Sequence, residues 1–251
     1  MECPRVAVFD LDDTLAESFK SPSVETLDAL KRLLSAIPVA IMTGAGFARM
    51  EAQFLPELAA CPDSGRFYLF PNSSAQCYAR RNDAWKLLYS FTLTPDERAR
   101  IKETILKAVD ENPVLSDVPH WGERMFDREA QVAYTPVGIN ATLETKRTWD
   151  PGGVKRALLF EALKRTLPEF EILLGGTTTI DITPKDINKA YGVKWLSDYL
   201  KMPTSGMLYV GDAFHEGGND TVVIPTGIRT RRVSGPEETL GLIKELLAVC
   251  K

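Results

Sequence analysis

The sequence predicts an α/β protein: a doubly wound parallel sheet interrupted by an inserted α+β module. Two observations predict it. Three short apolar runs of strand type, Val6-Ala-Val-Phe, Val39-Ala-Ile-Met and Met207-Leu-Tyr-Val, each stop abruptly at acids, hydroxyls or glycines. Continuous apolar runs mark strands buried on both faces, which helices must cover. Between about residues 84 and 187 the texture changes to long polar helices and short alternating strands, the pattern of half-exposed antiparallel pairing.

Taken in order, residues 5–11 read as the first strand. Ser23-Val-Glu-Thr-Leu opens a helix with apolar positions 24, 27, 30, 33 and 34 after a Ser-Pro start signal. Pro38–Met42 is a second buried strand, followed by Thr43-Gly-Ala-Gly46 and a helix over about 47–54. Phe67–Phe70 and Ala75–Ala79 read as a strand pair around Pro71-Asn72. The module then carries helices over about 95–111 and 152–166, with alternating strands at Gln131–Thr135 and Thr177–Ile182. After Lys189 the βαβ character returns: a helix over 191–200, a buried strand ending at Val210, a short strand at Thr221–Ile224 and a helix ending near Cys250. The domains are therefore expected at 1–83 plus 188–251 for the core and 84–187 for the insert.

Composition narrows the function. With 251 residues, 44% hydrophobic and 25% charged, the chain has an ordinary globular make-up. Its net charge of -4 argues against nucleic acid as the main partner, since phosphate backbones select basic surfaces. The densest basic cluster, Arg229-Thr-Arg231-Arg232, reads as a strand of solvated or helix-facing arginines. No apolar run reaches the ~18 residues needed to span a bilayer. A basic leader is absent, so no signal peptide and a cytoplasmic location are expected. Cys3, Cys61, Cys77 and Cys250 lack C-x-x-C spacing and are expected as reduced thiols, with no zinc site. The two histidines, His120 and His215, are too few for a histidine-dyad mechanism.

Four stretches carry chemistry. Asp10-Leu-Asp12-Asp13-Thr14 puts three acids at one strand end, which makes sense where a cation or an attacking carboxylate is needed. Thr43-Gly44 offers a hydroxyl and backbone N–H groups for a phosphoryl oxygen, or simply caps the next helix. Lys189 opens the helix that returns to the core, where a lysine opposes the macrodipole unless an acid lies beside it. Gly211-Asp212 runs through a loop to Gly217-Gly218-Asn219-Asp220, a turn signal that also brings two polar side chains back toward the strand end.

Together these residues, in this order, resemble the haloacid-dehalogenase-like (HAD) phosphotransferase superfamily over the whole chain. The resemblance implies a Rossmann-like core and an α+β cap. About 30 residues separate Asp10 from Thr43, whereas about 145 separate Thr43 from Lys189, which matches subfamily IIB with its cap after the second motif. The Gly-Asp-x4-Gly-Gly-Asn-Asp run is most similar to the phosphomannomutase branch. So are Arg128 ahead of Pro136-Val-Gly138, and Gly175-Gly-Thr-Thr-Thr179-Ile-Asp181. The chain departs from the mutases at Ile139, where they carry an arginine, at Asp13 in place of glycine, and at Pro184-Lys-Asp in place of Gly-Trp.

The resemblance implies two-step phosphoryl transfer through an aspartyl phosphate, with Asp10 as nucleophile and Asp12 as general acid and base. It implies Mg2+ held by Asp10, the Asp12 carbonyl and Asp212, and charge stabilisation by Thr43 and Lys189. Gly44, Asn219 and Asp220 complete the phosphate side, with Asp220 orienting Lys189 or a metal-bound water. Arg128, Thr179 and Asp181, with Arg124 beside them, are the expected substrate contacts of the cap. Asp13 reads as a turn acid, the tryptophans as packing residues. The expected partner is a small phosphorylated metabolite, with no nucleic acid or membrane, in a monomer or homodimer. The expected activity is a Mg2+-dependent phosphohydrolase for a sugar phosphate or similar metabolite. The alternatives are a phosphomannomutase-like mutase and a non-catalytic phospho-accepting switch; switches of that kind are about half this length and keep the acceptor acid on a different strand from the acid pair.

Overall fold

The computed structural model describes residues 2–61, 63–82, 84–215 and 217–250. Asp83 at the expected domain border, Glu216 of the fourth motif and the two end residues, 1 and 251, of the expected core lie outside them. The chain forms two compact units, Met1–Ser90 with Lys189–Lys251, and Phe91–Asn188.

The first unit begins with β1 (Val6–Phe9), α1 (Val24–Ala36), β2 (Val39–Met42), α2 (Phe47–Gln53), α3 (Leu55–Ala59), β3 (Phe67–Phe70), β4 (Gln76–Arg81) and β5 (Ala84–Ser90). The second holds α4 (Pro95–Asp110), α5 (Pro113–Ser116), β6 (Met125–Asp127), β7 (Val132–Tyr134), α6 (Leu143–Trp149), α7 (Val154–Thr166), β8 (Phe170–Gly175) and β9 (Thr179–Pro184). The chain returns through α8 (Lys189–Tyr199), β10 (Met207–Gly211), β11 (Arg229–Arg232) and α9 (Pro236–Val249).

The core sheet has the order β11-β10-β1-β2-β3-β4-β5. β11, β10, β1, β2 and β3 are parallel, and β4 and β5 add an antiparallel hairpin. Every residue of β1 has zero exposure, which explains its unbroken apolar run. Ala7 and Phe9 join a cluster with Leu27, Leu30 and Leu34 of α1 and Leu242 and Leu246 of α9. Val6 and Val8 face the other way, into a cluster with Val193 and Leu196 of α8. Leaving β1, the chain winds one way through β2 and β3, and it later returns to β1's other side as β10 and β11. The winding thus reverses between β1 and β10, and the crevice at the carboxyl ends of such strands is where doubly wound sheets bind ligands.

The inserted unit is a four-stranded antiparallel sheet, β6-β7-β9-β8. Its core face is built by alternation: Ile180 and Ile182 of β9 turn toward Ile101 and Ile105 of α4 and Leu159 and Leu163 of α7. A capping box between Thr94 and Glu97, with Pro95 at the first turn, starts α4.

Three expectations need correction. The border at residue 83 falls inside a hairpin, because β5 pairs with β4 from Gln76↔Ser90 to Arg81↔Ala84 and so belongs to the core sheet. Residues Thr221–Thr226 form a 3-10 turn rather than a strand; Pro225 has no N–H for a ladder, and Arg229–Arg232 takes the sheet edge instead. Cys3 and Cys250 are not reduced thiols but a disulfide, with Cα atoms 5.1 Å apart. Cys3 precedes β1 and Cys250 ends α9, and packing of α9 beside α1 draws the two together. Sequence spacing carries no sign of a bridge across 247 residues. Cys61 and Cys77 are free and buried.

Closing so long a loop restricts the unfolded chain, so loss of this bond is predicted to cost about 2–5 kcal/mol. Replacing Cys3 and Cys250 with serine should lower Tm by about 5 °C or more. Thiol titration in denaturant should count two reactive cysteines before reduction and four after it.

Candidate active site

Strand register assembles the site. Phe9 stands beside both Val210 and Ile41, so Asp10, Gly211-Asp212 and Thr43 emerge from three neighbouring strand ends. Asp10 is fixed there by its own N–H, which donates to the Val210 carbonyl (2.9 Å). Among the described residues, Asp10, Asp212 and Asp220 place carboxylate oxygens within 4.8 Å of one another.

Lys189 neutralises part of this charge. Its Nζ lies 2.9 Å from Asp10 Oδ1 and 2.7 Å from Asp220 Oδ1. It also reaches Asn219 Oδ1 at 3.5 Å. All three ionised groups are nearly or fully buried, with exposures of 2% for Lys189, 5% for Asp10 and 0% for Asp220. A charge so placed is tolerable only when paired and hydrogen-bonded. Burial alone would lower the Lys189 pKa, but Asp10 and Asp220 overcome it and push it upward, so the ammonium persists. Burial lifts the Asp10 carboxyl well above its usual range, against the pull of Lys189 and with the repulsion of Asp220 and Asp212.

Asp220 accepts three hydrogen bonds. Its Oδ1 accepts from Lys189 and from the Tyr209 hydroxyl (2.6 Å), and its Oδ2 accepts from the Ala213 N–H (3.0 Å). Burial and the neighbouring Asp220 raise the Tyr209 pKa strongly, which keeps the phenol protonated as a donor. Gly211 is obligatory, since a Cβ there would lie 2.2 Å from Asp220 Oδ2. The arrangement anchors Lys189 and leaves Asp10 and Asp212, which accept fewer of the hydrogen bonds described than Asp220, as the better-placed carboxylates of the three for a cation. An all-oxygen, doubly acidic donor set suits a hard divalent ion.

Asp212 is the more open acid. Thr14 Oγ1 donates to its Oδ1 at 3.1 Å. Burial, then the charge of Asp220, raises its pKa to about 6 despite Lys189 and the Thr14 hydrogen bond. Thr43, 1% exposed, accepts from the Ala45 N–H at 3.0 Å, so its hydroxyl shapes the loop after β2 and caps no helix; Gly46 holds the N-cap of α2. Gly44 lies in the same loop.

Asp12 departs from expectation. Its carboxylate is gripped by Arg49 of α2, Nη1 to Oδ2 at 2.9 Å and Nη2 to Oδ1 at 2.6 Å. The Phe19 N–H adds a third bond at 2.8 Å. Gln53 closes the ring, accepting from Arg49 Nε and donating to the Phe19 carbonyl. Arg49 also stacks over the Phe19 ring, 5.0 Å from its centroid. The Asp12 side chain therefore stands outside the acidic cluster. Asp13 is a turn acid, with φ of 57° and carboxylate bonds from the Ser18 N–H and hydroxyl.

The other expected residues lie in the inserted unit. Thr179 and Asp181 alternate on one face of β9, opposite its apolar face. Asp181 is buried beside Gly175 and adds to the charge around Arg156, whose guanidinium donates to the Gly175 carbonyl. Arg128 Nη1 donates to Gln131 Oε1 at 2.8 Å and lies over Phe126. Lys146, also buried, donates to the carbonyl of Ile139. Sequence reading missed Arg49, Tyr209 and Arg156. Tyr209 hides in an apolar strand run, and the two arginines acquire partners only through tertiary contact.

A buried lysine held between two acids at a sheet's switch point suits a phosphate-handling enzyme, and the chain's relatives are of that class. The eukaryotic phosphomannomutase family model matches residues 26–249. The chain belongs to that family, the phosphomannomutase branch of the HAD superfamily, and is an enzyme acting on phosphate groups. Spinach (Spinacia oleracea) phosphomannomutase is 24% identical over 98% of this chain and 97% of its own. The Schizosaccharomyces pombe phosphomannomutase is 21% identical over 97% and 95%. Among solved structures, an N-terminally truncated, IMP-bound Plasmodium falciparum IMP-nucleotidase matches with TM-score 0.72 and 18% identity, covering 98% of this chain and 68% of that one. A HAD-like hydrolase from Bacteroides thetaiotaomicron matches at 0.65 and 13%, covering 97% and 99%.

The sign of the Asp212 shift gives a pH prediction. Its folded pKa of about 6 lies above the ordinary 3.8, so between these values the folded chain keeps a proton that the unfolded chain has lost. The stability it contributes is full below about 3.8 and is lost as pH rises through about 6. A divalent cation competes with that proton. Titration with MgCl2 should raise Tm clearly at about pH 7.5 and little at about pH 5, and Asp212→Asn should abolish the rise.

Proposed function

We propose that the protein is a Mg2+-dependent phosphohydrolase for a phosphorylated sugar or similar small metabolite. The observation that carries this reading is Asp10, buried at a strand end within 2.9 Å of Lys189 and clustered with Asp212. An Asp10 oxygen attacks phosphorus in line, forming an aspartyl phosphate as the bond to the leaving oxygen breaks with its electron pair. Asp12 gives that oxygen a proton and later takes one from the water that attacks phosphorus, as the bond from the Asp10 oxygen to phosphorus breaks, restores the carboxylate and releases inorganic phosphate; this role requires the Asp12 carboxylate to turn from Arg49. Lys189 and the Thr43-Gly44 loop stabilise charge on the phosphoryl oxygens, with Asn219 beside Lys189. Asp10, the Asp12 carbonyl and Asp212 would hold Mg2+, which offsets repulsion between carboxylate and phosphate when bound. Arg128, Thr179 and Asp181 are proposed for substrate recognition by the inserted unit, as the resemblance implies.

Hydrolysis is preferred over mutase chemistry because of Ile139. A mutase must hold a second phosphate, and the arginine that the mutases carry after Pro-Ile-Gly is Ile139 here, its carbonyl occupied by Lys146. Family membership favours the mutase as the second reading. No helix among the described residues is long and apolar enough to cross a membrane. The cytoplasm is the proposed location; the Cys3–Cys250 bond would meet reducing thiols there.

Incubation of hexose 1-phosphate with Mg2+, with and without a hexose bisphosphate, separates the readings. Release of inorganic phosphate that is independent of the bisphosphate supports the hydrolase; rapid, bisphosphate-dependent formation of the 6-phosphate supports the mutase. With p-nitrophenyl phosphate, Asp10→Asn should lose at least ~1000-fold in kcat while leaving Tm within a few degrees.

A further inference from the structure

The turn after β3 is unusual. Asn72, Ser73 and Ser74 are three consecutive residues in the left-handed region, with φ of 52°, 55° and 70°. None is glycine, and L side chains adopt this region reluctantly, least of all in succession. All three are buried, at 2%, 4% and 0% exposure. A conformation so disfavoured persists only when the surroundings over-determine it, and such turns cluster at functional sites.

What the turn touches shows what holds it. The Ser73 N–H donates to the Thr43 carbonyl at 2.8 Å, and the Asn72 N–H to the Ala45 carbonyl at 2.9 Å. The left-handed twist is what aims these two successive donors at one loop. That loop is Thr43-Gly44-Ala45. On its other side the turn meets α8, the helix that begins with Lys189. Ser74 Oγ lies 2.5 Å from where a Cβ would stand on Gly192, so only glycine lets the two approach so closely. The Tyr89 hydroxyl fixes the Ser74 carbonyl at 2.9 Å, and Asn72 Nδ2 is tied to Gln76.

We infer that Asn72-Ser73-Ser74 is a positioning element that sets the Thr43 loop against the Lys189 helix, and so the spacing between the two groups that receive a phosphoryl dianion. The inference rests on the proposed phosphohydrolase reading. Thr43 and Lys189 come from strand and helix ends that share no hydrogen bond among those described. The turn touches the loop through its backbone donors and the helix through the Ser74–Gly192 approach, where the Met42 side chain of β2 also meets Gly192. It acts through backbone donors and a close approach, so its side chains need not meet the substrate.

The test measures competitive inhibition by inorganic phosphate, with p-nitrophenyl phosphate as substrate and Tm recorded alongside. Ser73→Val, β-branched and intolerant of positive φ, should raise the phosphate Ki about tenfold. Ser73→Gly keeps the N–H and relaxes the strain, so it should hold Ki within about twofold and raise Tm by about 2–4 °C. Should Ser73→Val not fold, Gly192→Ala probes the same contact: Ki should rise, and Ser74→Gly in the same chain should restore it by removing the clashing atoms. In a Thr43→Ala background the effect of either lesion on Ki should shrink, because the Thr43 hydroxyl is one of the groups whose spacing the turn sets. An active wild type whose phosphate Ki ignores both Ser73→Val and Gly192→Ala, while Tm falls, overturns this inference alone. A wild type that neither turns over the substrate nor binds phosphate overturns the functional reading with it.

Discussion

Everything at this site depends on one buried ammonium. Lys189 is 2% exposed and lies within 3 Å of two carboxylates. Removing the lysine would strand two acids in a medium that cannot solvate them, which typically costs about 3–5 kcal/mol, whereas removing one acid leaves the lysine paired with the other. The rest of the core can be read as provision for this group. Gly211 leaves room for Asp220, Tyr209 and the Ala213 N–H donate to Asp220, and α8 begins at Lys189 itself. A lysine at a helix start, unfavourable against the macrodipole, becomes favourable because two acids face it.

The division of labour among the acids follows from their surroundings. Asp220 accepts from three donors and serves as an anchor. Asp10 faces Lys189 from the neighbouring strand end and keeps an oxygen for chemistry. Asp212 is more open than Asp10 and Asp220, and burial with the charge of Asp220 raises its pKa to about 6. Asp12 is held apart by Arg49, Gln53 and Phe19 in a closed ring of hydrogen bonds. Four carboxylates within one crevice thus have four different environments, and it is environment that separates acid, base, ligand and anchor in sites of this kind.

Much of this was legible in the sequence. The strands whose ends carry Asp10, Thr43 and Asp212 announced themselves as unbroken apolar runs, because burial on both faces leaves no polar alternation. The inserted unit showed in its alternating strands, although its border was misplaced: β5 alternates poorly and sits at a sheet edge, where burial constrains sequence weakly. Pairings distant in the chain were not legible. Arg49 with Asp12, Cys3 with Cys250 and the backbone bonds from Asn72 and Ser73 to the Thr43 loop arise only when the sheet is assembled. Left-handed backbone at serine leaves no mark that a sequence pattern could register.

The most direct test is chemical trapping of the nucleophile. Acid quench during turnover of p-nitrophenyl phosphate, followed by borohydride reduction and peptide sequencing, should find homoserine at position 10 and nowhere else. Product formation with Asp10 unmodified and another residue reduced would contradict the account, because the buried lysine and its acids would then be serving some other group.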